Sequence, residues 1–227
     1  MKRFLIVGVA LMATLVMSIM ATAATAVTLP AVLFLPGKTS AVAKATSGSA
    51  TTLETIGGAK LTGIGLEATL TSSTASPALG PYGVLFKEVA EGKNKCKTGT
   101  LKAGNVEITG EFHLVTLSEK PLEMGVLFLV PLTVISCGTT ELPEKVKIKV
   151  EGSSLASFTG TFNSEIKEFS GTLLGAKGKP AKTAYLNDEG ATLNAALKAN
   201  FGLGFEEADE NVAEPIKFTS EGYTIDE

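Results

Sequence analysis

Apolar residues recur at every second position over much of this chain, the spacing that turns one face of an extended strand toward a core. The pattern is clearest from Gly104 to Gly138, which reads GNVEITGEFHLVTLSEKPLEMGVLFLVPLTVISCG. Val106, Ile108, Phe112 and Leu114 share one side of its first arm, and Glu107, Thr109, Glu111 and His113 the other. From Leu122 to Ile135 both sides are apolar, as in a strand covered on both faces. Ser-Glu-Lys-Pro between the arms supplies turn chemistry, so the pattern predicts a central hairpin.

The same reasoning extends along the chain. Val27 to Leu35, interrupted by Pro30, predicts an edge strand or an irregular lead-in. Lys38 to Thr52 is rich in Ala, Ser, Thr and Gly and reads as a linker or a low-information first strand. Gly57-Gly58 predicts a tight turn between Thr51 to Ile56 and Ala59 to Thr71, with Thr62, Ile64, Leu66, Ala68 and Leu70 on one face. Tyr82 to Val89 is a further strand, and Glu91 to Lys95 a charged turn. In KVKIKVE, Lys145 to Glu151, Val146, Ile148 and Val150 face inward against three lysines that deter edge pairing. Ser154 to Phe162 and Glu165 to Leu174 are read as two more strands, split at Asn163-Ser164, with a turn at Gly175 to Pro180. From Ala191 to Phe205 every odd position is apolar; despite its alanine content this predicts a long strand, paired with Thr183 to Asn187 across Asp188-Glu189-Gly190. Gly202 and Gly204 should bend it or admit another segment. An acidic loop, Glu206 to Glu214, then precedes short strands around Ile216 to Thr219 and Tyr223 to Ile225.

The N-terminus changes the compartment. Met1-Lys2-Arg3, an uncharged apolar stretch from Phe4 to Met20, and the small-residue exits Ala21-Thr22-Ala23 and Ala24-Thr25-Ala26 predict a helical secretory signal peptide. The domain plan is then 1–26 leader, 27–52 lead-in strand and Ser/Thr/Ala-rich linker, and 53–227 a single β domain. Without Lys2 and Arg3 there are 18 basic residues against 23 acidic, a formal charge of −5, which gives no reason to seek nucleic acid or an anionic membrane. The mean hydropathy of +0.28 is inflated by the leader.

Cys96 and Cys137 are the only cysteines, and in an exported chain an even count predicts a disulfide. His113 is the only histidine. It shares a strand face with Glu111, but no serine stands in a G-x-S-x-G turn, so no catalytic residue is assigned and His113 reads as a polar strand residue. Glu206, Asp209 and Glu210 offer oxygens to calcium but lack the spacing and turn glycine of a dedicated loop, so they read as solvated acids; no cofactor is expected.

These elements predict an all-β fold, an antiparallel meander of about ten to twelve strands in a closed or nearly closed β-barrel, with a two-sheet sandwich as the alternative. LFLPGK at Leu33 to Lys38, TLETIGGAKLTG at Thr52 to Gly63, EFHLVTL at Glu111 to Leu117, GVLFLV at Gly125 to Val130 and NFGLGFE at Asn200 to Glu206, behind a signal peptide, resemble a group of uncharacterised secreted β proteins of actinobacteria. The resemblance implies an exported β protein with no assigned activity. Relatives often carry a further cysteine pair; here Gly63, Val89 and Ala90 stand in those places. The expected role is that of a secreted or extracytoplasmic, non-enzymatic component at or outside the cell envelope. A second reading is a carrier whose interior, lined by Phe112, Leu114, Leu197 and Phe201, holds a small apolar ligand; a third is a hydrolase using His113. Cavity size separates the first two.

Overall fold

The computed structural model describes residues 31–34, 38–75, 78–119, 121–139, 141–142, 145–159, 167–187, 190–221 and 223–226. The leader at 1–26, Pro30, Asn163-Ser164 and Asp188-Glu189 lie outside the described residues. In chain order the strands are β1 (Ala31–Phe34), β2 (Ser40–Thr55), β3 (Lys60–Ser73), β4 (Leu79–Phe86), β5 (Ala90–Glu91), β6 (Asn94–Thr98), β7 (Val106–Glu119), β8 (Leu122–Gly138) and β9 (Val146–Thr159). They continue with β10 (Glu168–Thr172), β11 (Gly175–Ala176), β12 (Lys179–Pro180), β13 (Ala184–Leu186), β14 (Thr192–Asn194), β15 (Leu197–Asn200), β16 (Glu206–Val212), β17 (Ile216–Glu221) and β18 (Tyr223–Asp226).

The main sheet closes on itself. β2, β3, β4, β7, β8, β9, β10 and β17 form an eight-stranded antiparallel barrel, sealed where β17 pairs with β2 and β10 with β9. Four strands, β2, β3, β8 and β9, are 14 to 17 residues long and take different partners at their two ends. Between β3 and β8 sit β4 and β7 in the upper half and β5 and β6 in the lower. Between β9 and β2 sit β10 and β17 above and β15 and β16 below. The lower half is therefore ringed by its own set: β2, β3, β5, β6, β8, β9, β15 and β16.

Each tier buries its own cluster. The upper one gathers Leu66, Leu70, Tyr82, Phe112, Met124 and Val126 with a ring series in which Phe169 stacks between Phe158 and Phe218, at centroid distances of 5.0 and 4.8 Å. The lower one gathers Leu61, Val106, Ile135, Ile148, Val150 and Leu197 around the bonded pair Cys96 and Cys137. A third cluster lies on the outer wall, where Val115, Leu127, Leu155 and Ala195 are covered with help from Tyr185 of β13. This is why β8 reads as apolar on both sides.

The barrel, the central hairpin, the Gly57-Gly58 turn and the disulfide follow the sequence expectation. Several elements differ. Ser40–Thr55 is a full barrel strand and no linker, so the β domain begins well before residue 53. Its inward residues Ala41, Ala43 and Ala45 are small because aromatic rings oppose them, Ala45 lying in register with Phe218. In β3 the alternation breaks at Gly65, whose φ of +86° turns the chain over: Leu61 and Gly63 face in below it, while Ile64 is 58% exposed. β9 is one strand from Val146 to Thr159, bent at Gly152. The long strand expected at Ala191 to Phe205 is two short ones, because Ala195 packs on the outer wall and Leu197 inside; residues 201–205 form a loop. Gly202 and Gly204 have positive φ and donate to the Asn200 side-chain oxygen, and a Cβ at either would meet open space, so they turn the chain and no other segment lies against them on that side. The acidic loop expected at Glu206 to Glu214 is mostly β16. The last two strands do not pair with each other: β17 joins the barrel, and β18 pairs with β1.

Candidate functional site

Strand alternation places Ala208, Glu210 and Val212 of β16 inward and Glu207, Asp209 and Asn211 outward. Glu210 is thus a carboxyl group inside an apolar lumen. It lines both interior cavities, one of about 50 Å³ in the lower tier beside Leu61, Val89, Ile135 and Leu197, and one of about 40 Å³ in the upper tier beside Leu66, Tyr82, Leu173 and Phe218. Phe86, Ile108 and Val130 wall both. Glu210 retains some accessible surface.

Burial disfavours the ionised form and pushes the Glu210 pKa up to about 7; the charge of Asp209 adds to the rise, and the Ser154 hydroxyl, donating from β9, opposes it. Tyr82 responds in turn. Its pKa is raised first by burial and then by the Glu210 charge, and its hydroxyl donates to the carbonyl of Leu129 at 3.4 Å. Around neutral pH the site is therefore an acid at the midpoint of its titration, flanked by two neutral hydroxyls. It can hold or release a proton and can order water in the small spaces beside it, for which about 10–15 Å³ per molecule suffices.

Asp209 serves a different purpose. It is buried on the outer wall under the β11–β12 hairpin, where a Cβ on Gly175 would sit 2.5 Å from its Oδ2 and one on Gly178 only 2.1 Å from the Ile56 nitrogen. Burial and then the charge of Glu54 raise its pKa, while the backbone N–H groups of Lys179, Glu54 and Gly178 pull it back. Asp209 and Glu210 thus point to opposite sides of one strand, and no group of three metal-ligating acids, histidines or cysteines forms among the described residues, which separates the calcium candidates Glu206, Asp209 and Glu210.

The four proposed ligand contacts divide between the tiers. Phe112 and Leu114 belong to the upper cluster, Leu197 and Phe201 to the lower, and of the four only Leu197 lines one of these two cavities. His113 is on the outer wall, opposite Leu79 and Leu127, with Nε2 buried and no hydrogen-bond partner there. Sequence reasoning missed Glu210 as a lumenal group because four acids crowd its strand. The signal was the alternation Ala208, Glu210, Val212. Comparison with protein-family models, with curated proteins and with solved structures gave no match.

Proposed function

We propose that this chain is an exported, non-catalytic β-barrel that acts through its outer surface, at or outside the cell envelope. The observation that carries this reading is the filled lumen. Aromatic and aliphatic side chains from both tiers occupy it, and the two spaces left beside Glu210, about 50 and 40 Å³, are far below the roughly 300 Å³ at which small-molecule sites begin. A carrier would need that interior empty. Export is supported by the leader and by Cys96 and Cys137, which are bonded and fully buried, as suits an oxidising compartment.

Native mass spectrometry of the protein taken from its own culture medium tests the reading. The expected species is cleaved after Ala23 or Ala26, lacks the two thiol hydrogens, and carries no small molecule. One apolar molecule retained per chain would move the conclusion to a carrier, and absence of the protein from the medium, with the unprocessed mass found in the cell lysate, would overturn export.

A further inference from the structure

The ladders of the barrel wall are interrupted where β2 bulges. β3 pairs with β2 up to Ser47 and again from Ala50, so Gly48 and Ser49 stand outside that ladder. On the other side β17 pairs with residues 42–45 and β16 with residues 51–55, which leaves residues 46–50 between the two. Local bonds close the gap: the Ser49 N–H donates to Ser47 Oγ at 3.1 Å, Ser49 Oγ to Glu214 Oε2 at 3.2 Å, and the Ala213 N–H to the Ala50 carbonyl at 3.0 Å. Outside this stretch lies a hollow of about 420 Å³ lined by Thr46, Ser47 and Ser49 and by Glu214 and Lys217, and a Cβ on Gly48 would meet open space. Inside it lies the upper cavity, lined by Leu66, which is in register with Ser47, and by Ile216, which follows Pro215 of the hollow. Glu210 borders the same cavity, so a single layer of backbone stands between the space beside a lumenal carboxyl and a polar exterior.

We propose that the β2 bulge is a gate for water, opened when Glu210 loses its proton. A carboxylate in an apolar lumen lacks the hydration it has in solvent, and cavities of about 50 and 40 Å³ hold only a few water molecules at about 10–15 Å³ each. Hydrating the charge therefore requires a path to the outside, and the hollow behind the bulge supplies a polar one. Ser154 faces Glu210 from β9, and Tyr82, its pKa raised by burial, from β4. The other elements around it, β2, β3, β7, β8, β15 and β17, present uncharged side chains to the two cavities. Asp209 and Glu54, which oppose each other in register, lie on the outer face, and Glu214 and Lys217 flank the gate from outside. β8 has a break of its own between Val130 and Thr133, but the exposed residues there are Pro131 and Leu132, an exterior that solvates no ion.

The test is amide hydrogen exchange of the intact, disulfide-bonded protein, followed residue by residue by NMR and corrected for the intrinsic effect of pH. A group whose pKa is higher closed than open favours the closed form at low pH, and that preference is lost as pH rises. If opening returns Glu210 from about 7 to its ordinary 4.5, the open population grows about ten-fold between about pH 6 and about pH 8. Protection of the Ser49 and Ala213 amides should fall by that factor and level off above about pH 7, while Leu132 and Thr133, at the β8 break, keep theirs. As a local opening requires, Ser49 and Ala213 should also be less protected than residues 42–45, which are paired on both sides. Glu210→Gln should abolish the pH step. Ser154→Ala, which removes a donor from the ionised carboxylate, should carry the plateau to higher pH, and this arm stands even if the glutamine variant does not fold. The proposal is overturned if Ser49 and Ala213 show no step, if they are as protected as residues 42–45, or if Leu132 and Thr133 show the same step. A step that survives Glu210→Gln, or a plateau that Ser154→Ala leaves in place, overturns it as well. All of these outcomes leave the exported-barrel reading standing, because the mass spectrum tests that separately.

Discussion

Replacing Glu210 by glutamine should flatten the pH dependence of stability. An acid whose pKa is higher folded than unfolded holds its proton more tightly in the native state. Its contribution is fully present below the unfolded value, 4.5, and is lost as pH rises through the folded value, about 7. Each pH step between these values removes about 1.4 kcal/mol, so the whole loss approaches about 3 kcal/mol, an upper figure because water in the adjoining cavities screens the charge. For a domain of this size that is about 6–12 °C in Tm. Of the groups around Glu210, Ser154 does not titrate there and Tyr82 stays protonated throughout, while Asp209, whose own pKa is raised by burial, points to the other side of the strand and is common to both proteins. Glutamine keeps an acceptor for the Ser154 hydroxyl and cannot ionise. Thermal melts of the two proteins, followed by circular dichroism from about pH 4 to about pH 8, should diverge steadily, with Glu210→Gln the more stable at the alkaline end. Parallel curves, or a wild type that gains on the variant as pH rises, would refute the lumenal placement of this carboxyl.

The disulfide closes a loop with a sequence separation of 41, for which chain entropy gives at most about 4 kcal/mol; reduction or Cys137→Ser should lower the urea midpoint accordingly, and two reactive thiols in the native protein would contradict the bridge. Gly152→Ala should cost about 2–4 kcal/mol, because φ is +116° and the new Cβ would lie 2.1 Å from the Ala196 carbonyl oxygen. Gly83→Ala, whose nearest contact is Thr109 Cγ2 at 3.8 Å, should stay within about 0.5 kcal/mol, and equal effects would count against the bent strand. Phe169→Ala removes the middle ring of the upper stack and should cost about 3–5 kcal/mol by denaturant unfolding; a loss below about 1 kcal/mol would mean the stack is not packed as described.

What could be read from the sequence was alternation among large side chains. Val146, Ile148 and Val150 face in as their spacing requires, and Gly57-Gly58 makes the turn its composition suggests. β2 was obscure for a packing reason: its inward alanines fit beneath large partners, so burial comes without a strong hydrophobic signal. Ala195 and Leu197 have the same parity and opposite destinations, one outside the barrel and one within, and nothing local in the sequence records the break between them. Glu210 was hidden because a carboxylate is the residue least expected at an inward position.

The departures from regular pairing fall at one level of the barrel. β2 shifts register between Ser47 and Ala50, opposite Gly65 of β3, and β8 shifts between Val130 and Thr133, opposite the Gly152 bend of β9. A strand of 17 residues would run about 56 Å if straight, and its accumulated twist carries the two ends toward different neighbours. Bulges and positive-φ glycines are the places where such a strand re-aims, so the partner pairs change there from β4 and β7 to β5 and β6, and from β10 and β17 to β15 and β16. Phe86 and Ile108 pack against the clusters of both tiers across the join, and one small space lies on each side of it. A larger apolar residue at position 210 would fill only one of the two. A carboxyl whose pKa is pushed up to about 7, that accepts from Ser154 and borders both spaces is tolerated at this level, where anywhere deeper in either tier it would be buried against hydrocarbon alone.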